Sequence, residues 1–194
     1  MSDDATPGLG HQAPDHVLAI VAALHAVPPR AGGIRVLAVD GPSGAGKSTL
    51  AVDVARVLGA PIVRMDDLYP GWDGLEEAVP RLLEWVLRPL AAGRRAWYRR
   101  YDWNAGRYAE WHEVPAGRAL VIEGVSCGSR ICAPYLSLLV WVEADPALRM
   151  ERGMARDGEA YRPHWERWAR QEDEHFAREG TRDRADVRVV TDGR

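Results

Sequence analysis

Apolar positions in this chain alternate between two arrangements. One is a short, nearly continuous run bounded by turn residues, at 34–40, 61–65, 119–124, 138–142 and 187–190. The runs at 34–40, 119–124 and 138–142 are too short for a helix and almost uniformly apolar, so they predict buried strands of a parallel sheet, and those at 61–65 and 187–190 predict two further short strands. The other arrangement has helical spacing. Residues 47–58 carry Leu50, Ala51, Val54, Val57 and Leu58, and 75–90 predict a second helix that Pro80 bends or restarts and that ends near Pro89. Asp145 followed by Pro146 opens a helix toward Arg156, and Pro163 starts another through Ala177. Before the first strand, Asp15 caps a short helix with Val17, Leu18, Ile20, Val21 and Leu24 on its apolar face, and 28–33 break it. Residues 94–111 are aromatic, charged and irregular. Strands alternating with helices predict an α/β fold of three layers, a five-stranded parallel sheet with helices on both faces.

Length and composition fit a single domain. The 194 residues are 46% apolar and 27% charged. Residues 1–33 read as a mobile N-terminus, a short helix and a linker, and 34–194 as one domain. The net charge of −3 gives no bulk positive field for nucleic acid or an anionic membrane. No apolar run approaches the ~20 residues of a membrane span. The start, Met1-Ser2-Asp3-Asp4, is not a signal peptide, and the expected location is the cytoplasm. Cys127 and Cys132, with four residues between them, match no common zinc or redox spacing and read as two reduced, buried or half-buried thiols. Nothing in the sequence sets an oligomeric state.

The basic residues change the picture. Twenty-four are arginine and one is lysine, Lys47. It stands in Gly41-Pro42-Ser43-Gly44-Ala45-Gly46-Lys47-Ser48-Thr49, which matches G-x-x-x-x-G-K-[ST] at every fixed position, between a predicted strand and a predicted helix. Glycines let such a loop turn its N–H groups toward an anion, and the helix N-terminus adds its positive end. An ammonium is a compact, flexible point charge suited to the β- and γ-phosphates, which a planar guanidinium replaces poorly. Ser48 is the expected Mg²⁺ ligand. The loop predicts a nucleoside triphosphate site, with Gly41, Ser43, Gly44, Ala45, Gly46, Lys47, Ser48 and Thr49 holding the nucleotide.

Other candidates cluster at strand ends, where open parallel sheets bind ligands. Asp66 and Asp67 follow the second strand, and a carboxylate there can take a proton from an attacking hydroxyl. Glu123 ends the third strand and is the candidate for bonding a metal's water shell. Arg149, Arg152 and Arg156 share one helical face and, with Arg162, suit the charge that spreads over a transferring phosphoryl group. Gly153 and Gly158 loosen that segment, about 149–165, as a moving lid needs. The aromatic stretch from Trp97 to Trp111 is the natural acceptor site. Trp165, Trp168 and Phe176 read as core, and the histidines are given no role.

Several elements in order resemble the uridine kinase and phosphoribulokinase branch of the P-loop kinases. The loop at 41–49 is similar to that family's. Asp66-Asp67-Leu68-Tyr69 resembles its Asp-Ser-Phe-Tyr, whose Asp is the catalytic base. Tyr101-Asp102-Trp103 resembles its Tyr-Asp-Phe acceptor segment, Glu123-Gly124-Val125 its Glu-Gly-Ile, Arg152 and Arg156-Asp157 its lid arginines, and Ala185-Asp186-Val187 its Ala-Asp-Val. The resemblance spans residues 34–190. It implies a P-loop kinase fold and transfer of the γ-phosphoryl group of ATP, with Mg²⁺, to a hydroxyl of a small, nucleoside-like acceptor. Lys47, Asp66, Arg152 and Arg156 are then catalytic. Asp67, Tyr69, Asp73, Tyr101, Asp102, Arg107 and Arg162 contact the acceptor, and Ser48 and Glu123 serve the metal. The family's His-Ser-Arg after Tyr-Asp-Phe is absent, since Asn104-Ala105-Gly106-Arg107 stands there, so uridine itself does not follow. Two rivals remain. One is a nucleoside monophosphate kinase using Arg99, Arg100 and Arg107 on the acceptor phosphate. The other is a regulatory ATPase. A guanine-specific Asn-Lys-x-Asp motif is excluded, because Lys47 has no second lysine to accompany it.

Overall fold

The computed structural model describes residues 13–158 and 162–192. The expectation for residues 1–12 and the side-chain roles of Arg156 and Arg162 lie outside the described residues. Among these, the main sheet has five strands, all parallel: β1 (Arg35–Asp40), β2 (Ile62–Arg64), β5 (Ala119–Glu123), β6 (Leu138–Glu143) and β7 (Val187–Val190), in the order β2-β5-β1-β6-β7. A separate hairpin pairs β3 (Trp97–Asp102) with β4 (Arg107–Glu113).

The period of two along each buried strand divides the core into two layers. Val36 and Ala38 of β1 face one side with Leu120 and Ile122 of β5, and Leu37 and Val39 face the other with Val121, Val140 and Val142. The second layer is covered by α1 (Asp15–Ala26) and α2 (Lys47–Leu58), whose buried residues Val17, Ile20, Leu24, Leu50, Ala51 and Val54 recur at helical spacing. Leu18 of α1 is 47% exposed, so the buried stripe is narrower than its apolar content. Pro14 takes the N-cap position and Asp15 opens the helix as its first residue, favourable to the helix dipole, without a side-chain cap bond.

The first layer is covered by one long helix in three parts. α3 (Leu75–Arg81) runs through Pro80 into a π-helical turn (Leu82–Leu87) and on into α4 (Arg88–Ala91), which contains Pro89. Pro80 has no N–H to give the carbonyl a turn below it, and the helix continues past it through the widened turn instead of stopping. α5 (Pro146–Asp157) begins as Asp145 and Pro146 predict: the Asp145 carboxylate accepts from the N–H groups of Ala147 and Leu148. α6 (Arg162–Glu179) and α7 (Thr181–Arg184) complete the chain before β7. No described helix is long and apolar enough to cross a membrane. Cys127 and Cys132 are free thiols, both buried.

The hairpin replaces the irregular stretch expected at 94–111. Its turn is made by Asp102, whose Oδ1 accepts from the N–H groups of Asn104 and Ala105, and by Gly106 at φ 63°. A register shift between Arg99 and Tyr101 breaks strict alternation. That bulge and the rings on both faces hide the strand period. The Asp-x-Asn-x-Gly turn between two aromatic runs was the available signal.

Candidate active site

Register brings the candidate groups together. Val39 of β1 lies beside Glu123 of β5, and Arg64 of β2 lies on the other side of Glu123. The chain leaves all three strands at the same edge. After β1 comes the phosphate-type loop, after β2 a single 3₁₀ turn (Met65–Asp67), and after β5 Gly124. Gly124 has φ 129°, and a Cβ there would come within 2.6 Å of Met65 Cβ, so only glycine lets the end of β5 lie against the aspartate turn. These ends open into a cleft of about 790 Å³.

Of the expected site residues, Ser43, Gly44, Gly46, Lys47, Ser48, Thr49, Asp66, Asp67, Tyr69, Tyr101, Glu123 and Arg152 line this cleft. Gly41 and Ala45 are buried in the loop behind it. Three expected acceptor residues are not among its lining. Asp73 pairs with Arg167 of α6, Asp102 is engaged in the hairpin turn, and Arg107 begins β4 and is exposed.

The Lys47 ammonium, on a residue only 8% exposed, donates to the Pro42 carbonyl of its own loop at 2.9 Å. Ser48 donates to Glu123 Oε2 at 3.2 Å, and Arg64 Nε lies 3.5 Å from Glu123 Oε1. Burial pushes the Glu123 carboxyl above its ordinary value, and nearby Asp66 adds to this, while Lys47, Ser48 and Arg64 pull it down. A buried carboxylate beside a serine hydroxyl at a loop with several positive-φ glycines is a donor set that fits Mg²⁺ with phosphate oxygens. Among the described residues no cluster of three or more His, Cys, Asp or Glu forms an all-protein metal cage.

Asp66 is exposed to the cleft, and its backbone carbonyl accepts from Trp103 Nε1 at 3.0 Å. The hairpin therefore holds the turn that carries Asp66. Tyr108 strengthens the hold by donating to the Leu68 carbonyl at 2.6 Å, and Tyr69 donates to the Val125 carbonyl at 2.7 Å. Asp67 is half-buried, which raises its pKa together with the repulsion of Asp66, against a Tyr98 hydroxyl at 3.4 Å. The far wall is aromatic: Trp72 and Trp103 lie 4.9 Å apart, Tyr101 and Trp103 5.5 Å, and Tyr69 and Trp168 4.9 Å.

Arg149 and Arg152 are anchored rather than extended. Arg152 donates to Thr191 Oγ1 at 2.9 Å and to its carbonyl at 2.8 Å, and Thr191 in turn donates to the Ala45 carbonyl. Gly44, at φ 76°, leaves no space for a Cβ, which would sit 2.2 Å from the Arg149 carbonyl. Gly44→Ala is expected to destabilise the protein by about 2–3 kcal/mol through strained backbone and a clash with α5, measured as a shift in denaturant midpoint. A midpoint equal to wild type would contradict the tight loop packing.

Three residues escaped the sequence reading. Asp40, fully buried, accepts from the N–H groups of Gly41 (2.7 Å), Ser126 (3.0 Å) and Gly128 (2.8 Å), tying the start of the loop to the segment after β5. Burial raises its pKa, and the Gly128 and Gly41 amides oppose the rise. Its position at the end of a strand before a glycine loop was a visible signal. Glu172 accepts from Ser43, and His175, 1% exposed, lies between Ser129 and Glu76. Both are distant in sequence from their partners, and neither belongs to a local motif.

No protein-family model and no curated protein matches this sequence. Solved structures do. A possible uridine kinase from Bacillus stearothermophilus superposes with a TM-score of 0.66 at 21% identity, over 90% of this chain and 97% of that one. A candidate fructose transport system kinase from Silicibacter sp. TM1040 does so with a TM-score of 0.56 at 20% identity, over 89% and 98%. At that identity the likeness is one of architecture: the chain shares the three-layer α/β fold of these two structures.

Proposed function

We propose that this protein is an ATP-dependent small-molecule kinase that transfers the γ-phosphoryl group to an acceptor hydroxyl. The observation that carries the reading is the convergence of Lys47, Ser48, Asp66 and Glu123 on one cleft from the ends of three adjacent strands. A loop alone would support nucleotide binding. An exposed carboxylate across from it, held by backbone bonds from the hairpin, supports transfer to a second molecule.

In this reading Lys47 leaves the Pro42 carbonyl for the phosphates, and the loop amides hold the triphosphate. Ser48 and Glu123 would hold Mg²⁺, which neutralises charge on the phosphates when bound. Asp66 accepts the proton of the attacking hydroxyl as the oxygen–phosphorus bond forms and the bond to the ADP leaving group breaks. Arg152, beside the loop, offsets charge on the transferred group, and Arg156 and Arg162 are assigned the same service and acceptor contact. The aromatic wall with Asp67, Tyr69 and Tyr101 receives the acceptor.

A nucleoside monophosphate acceptor is the second reading, and one observation supports it: Arg100, although paired with Glu110 at 2.6 Å, lines the cleft. Arg99 instead donates to the carbonyls of Tyr108 and Ala109 within the hairpin. The test is an ADP-release screen over nucleosides, nucleotides, sugars and other small alcohols. ADP release that rises with one class of unphosphorylated acceptor is the expected result. Release that is indifferent to every acceptor would replace the kinase with an ATPase.

A further inference from the structure

We infer that Glu172 is a positioning residue for the donor nucleotide, holding the phosphate loop from outside it. The inference rests on the kinase reading above only in taking the loop as a nucleotide site.

The evidence is an unusual concentration of donors on one buried carboxylate. Glu172 lies on α6 and is 2% exposed. Its Oε1 accepts from the Ser43 N–H at 3.0 Å, from the Ser43 hydroxyl at 2.5 Å and from Trp168 Nε1 at 2.8 Å. Oε2 lies 3.2 Å from the same Ser43 N–H. Trp168 Nε1 also reaches Ser43 Oγ at 3.1 Å, closing a three-membered network. A carboxylate is seldom buried without cause, because desolvation costs several kcal/mol unless its oxygens are well served. Its donors come from Ser43 of the loop and from Trp168, one turn earlier on α6.

The place of that grip matters. Ser43 precedes Gly44, the residue whose positive φ turns the loop. The Ser43 carbonyl is also approached by Arg149 Nη1 of α5 at 3.4 Å, and the preceding carbonyl, of Pro42, holds Lys47. Two adjacent residues of the loop are thus fixed by α2, α5 and α6 together. When Lys47 turns to a phosphate, the loop loses an internal bond, and Glu172 remains to keep its shape. Burial raises the Glu172 pKa, while Lys47 and Ser43 restrain that rise.

The test compares ATP binding, by calorimetry on the full chain without acceptor, in Glu172→Ala, Glu172→Gln, Ser43→Ala and the Glu172→Ala/Ser43→Ala double variant. Loss of bonds to a charged acceptor predicts an ATP Kd about 10- to 100-fold weaker for Glu172→Ala. Glu172→Gln keeps an acceptor oxygen and is expected within about threefold of wild type. The double variant is expected within about twofold of Glu172→Ala, since the hydroxyl bond that Ser43→Ala removes is already lost there. Turnover should show a raised KM for ATP with the acceptor KM unchanged. If Glu172→Ala does not fold, the Ser43→Ala and Glu172→Gln pair decides: weakened binding in the first and near-normal binding in the second sustain the inference. Wild-type Kd in Glu172→Ala, or full multiplication of the two single effects, overturns it. Absence of ATP binding in the wild-type protein would instead overturn the nucleotide reading itself.

Discussion

Asp66→Asn is expected to lower kcat by about 10²–10⁴-fold while leaving ATP affinity within a few-fold of wild type. The substitution keeps size and hydrogen-bonding shape but removes the basic oxygen. The turn that carries it is fixed by backbone groups, through Trp103 to the Asp66 carbonyl and Tyr108 to the Leu68 carbonyl, so the side chain can change without moving the turn. Single-turnover ADP formation with a competent acceptor, beside calorimetric ATP binding, separates the two quantities. Normal turnover in this variant would remove Asp66 from its role. Asp67 would then be the nearest alternative carboxylate, although it is half-buried and faces Tyr98.

Lys47→Arg is expected to be nearly as damaging, with kcat/KM down about 10²–10³-fold despite the retained charge. The ammonium is almost enclosed and bonds a carbonyl five residues earlier in its own loop. A forked guanidinium needs more space and a planar partner. It would either displace the loop or point away from the phosphates. The chain uses arginine at its 24 other basic positions, so this variant tests whether the lone ammonium is required by chemistry. An arginine variant with wild-type kcat/KM would show that charge alone suffices.

The layered sheet was legible because its central strands, β5, β1 and β6, are buried on both faces and leave short apolar runs, while the partly exposed edge strands β2 and β7 carry Arg64 and Arg188. The run at 34–40, the loop and the helix after it appear where the sequence predicts. Where two periods overlapped, the reading stopped. In the hairpin, rings and arginines occupy both faces and a bulge breaks the alternation, so no period of two survives. The long helix spans the stretch that the sequence predicts, but the π-helical turn that follows Pro80 among buried leucines has no signal in the periodicity. The glycine loop was legible for a related reason: its residues are contiguous. Glu172 and Asp40 act on partners that the fold alone brings near, and Asp73 and Asp102, plausible by position, are engaged by Arg167 and the hairpin turn.

The pairing of β2 with β5 has a kinetic consequence. The two strands that bring Asp66 and Glu123 side by side are separated in sequence by the whole long helix and the hairpin. Contacts of that span form late, because the chain between them must first be ordered. The glycine loop shares that dependence, because Asp40, Ser43 and Ala45 are tied to residues after β5, on α6 and after β7. A newly made chain would therefore complete both sides of the cleft together, only once the distant segments have docked on the sheet.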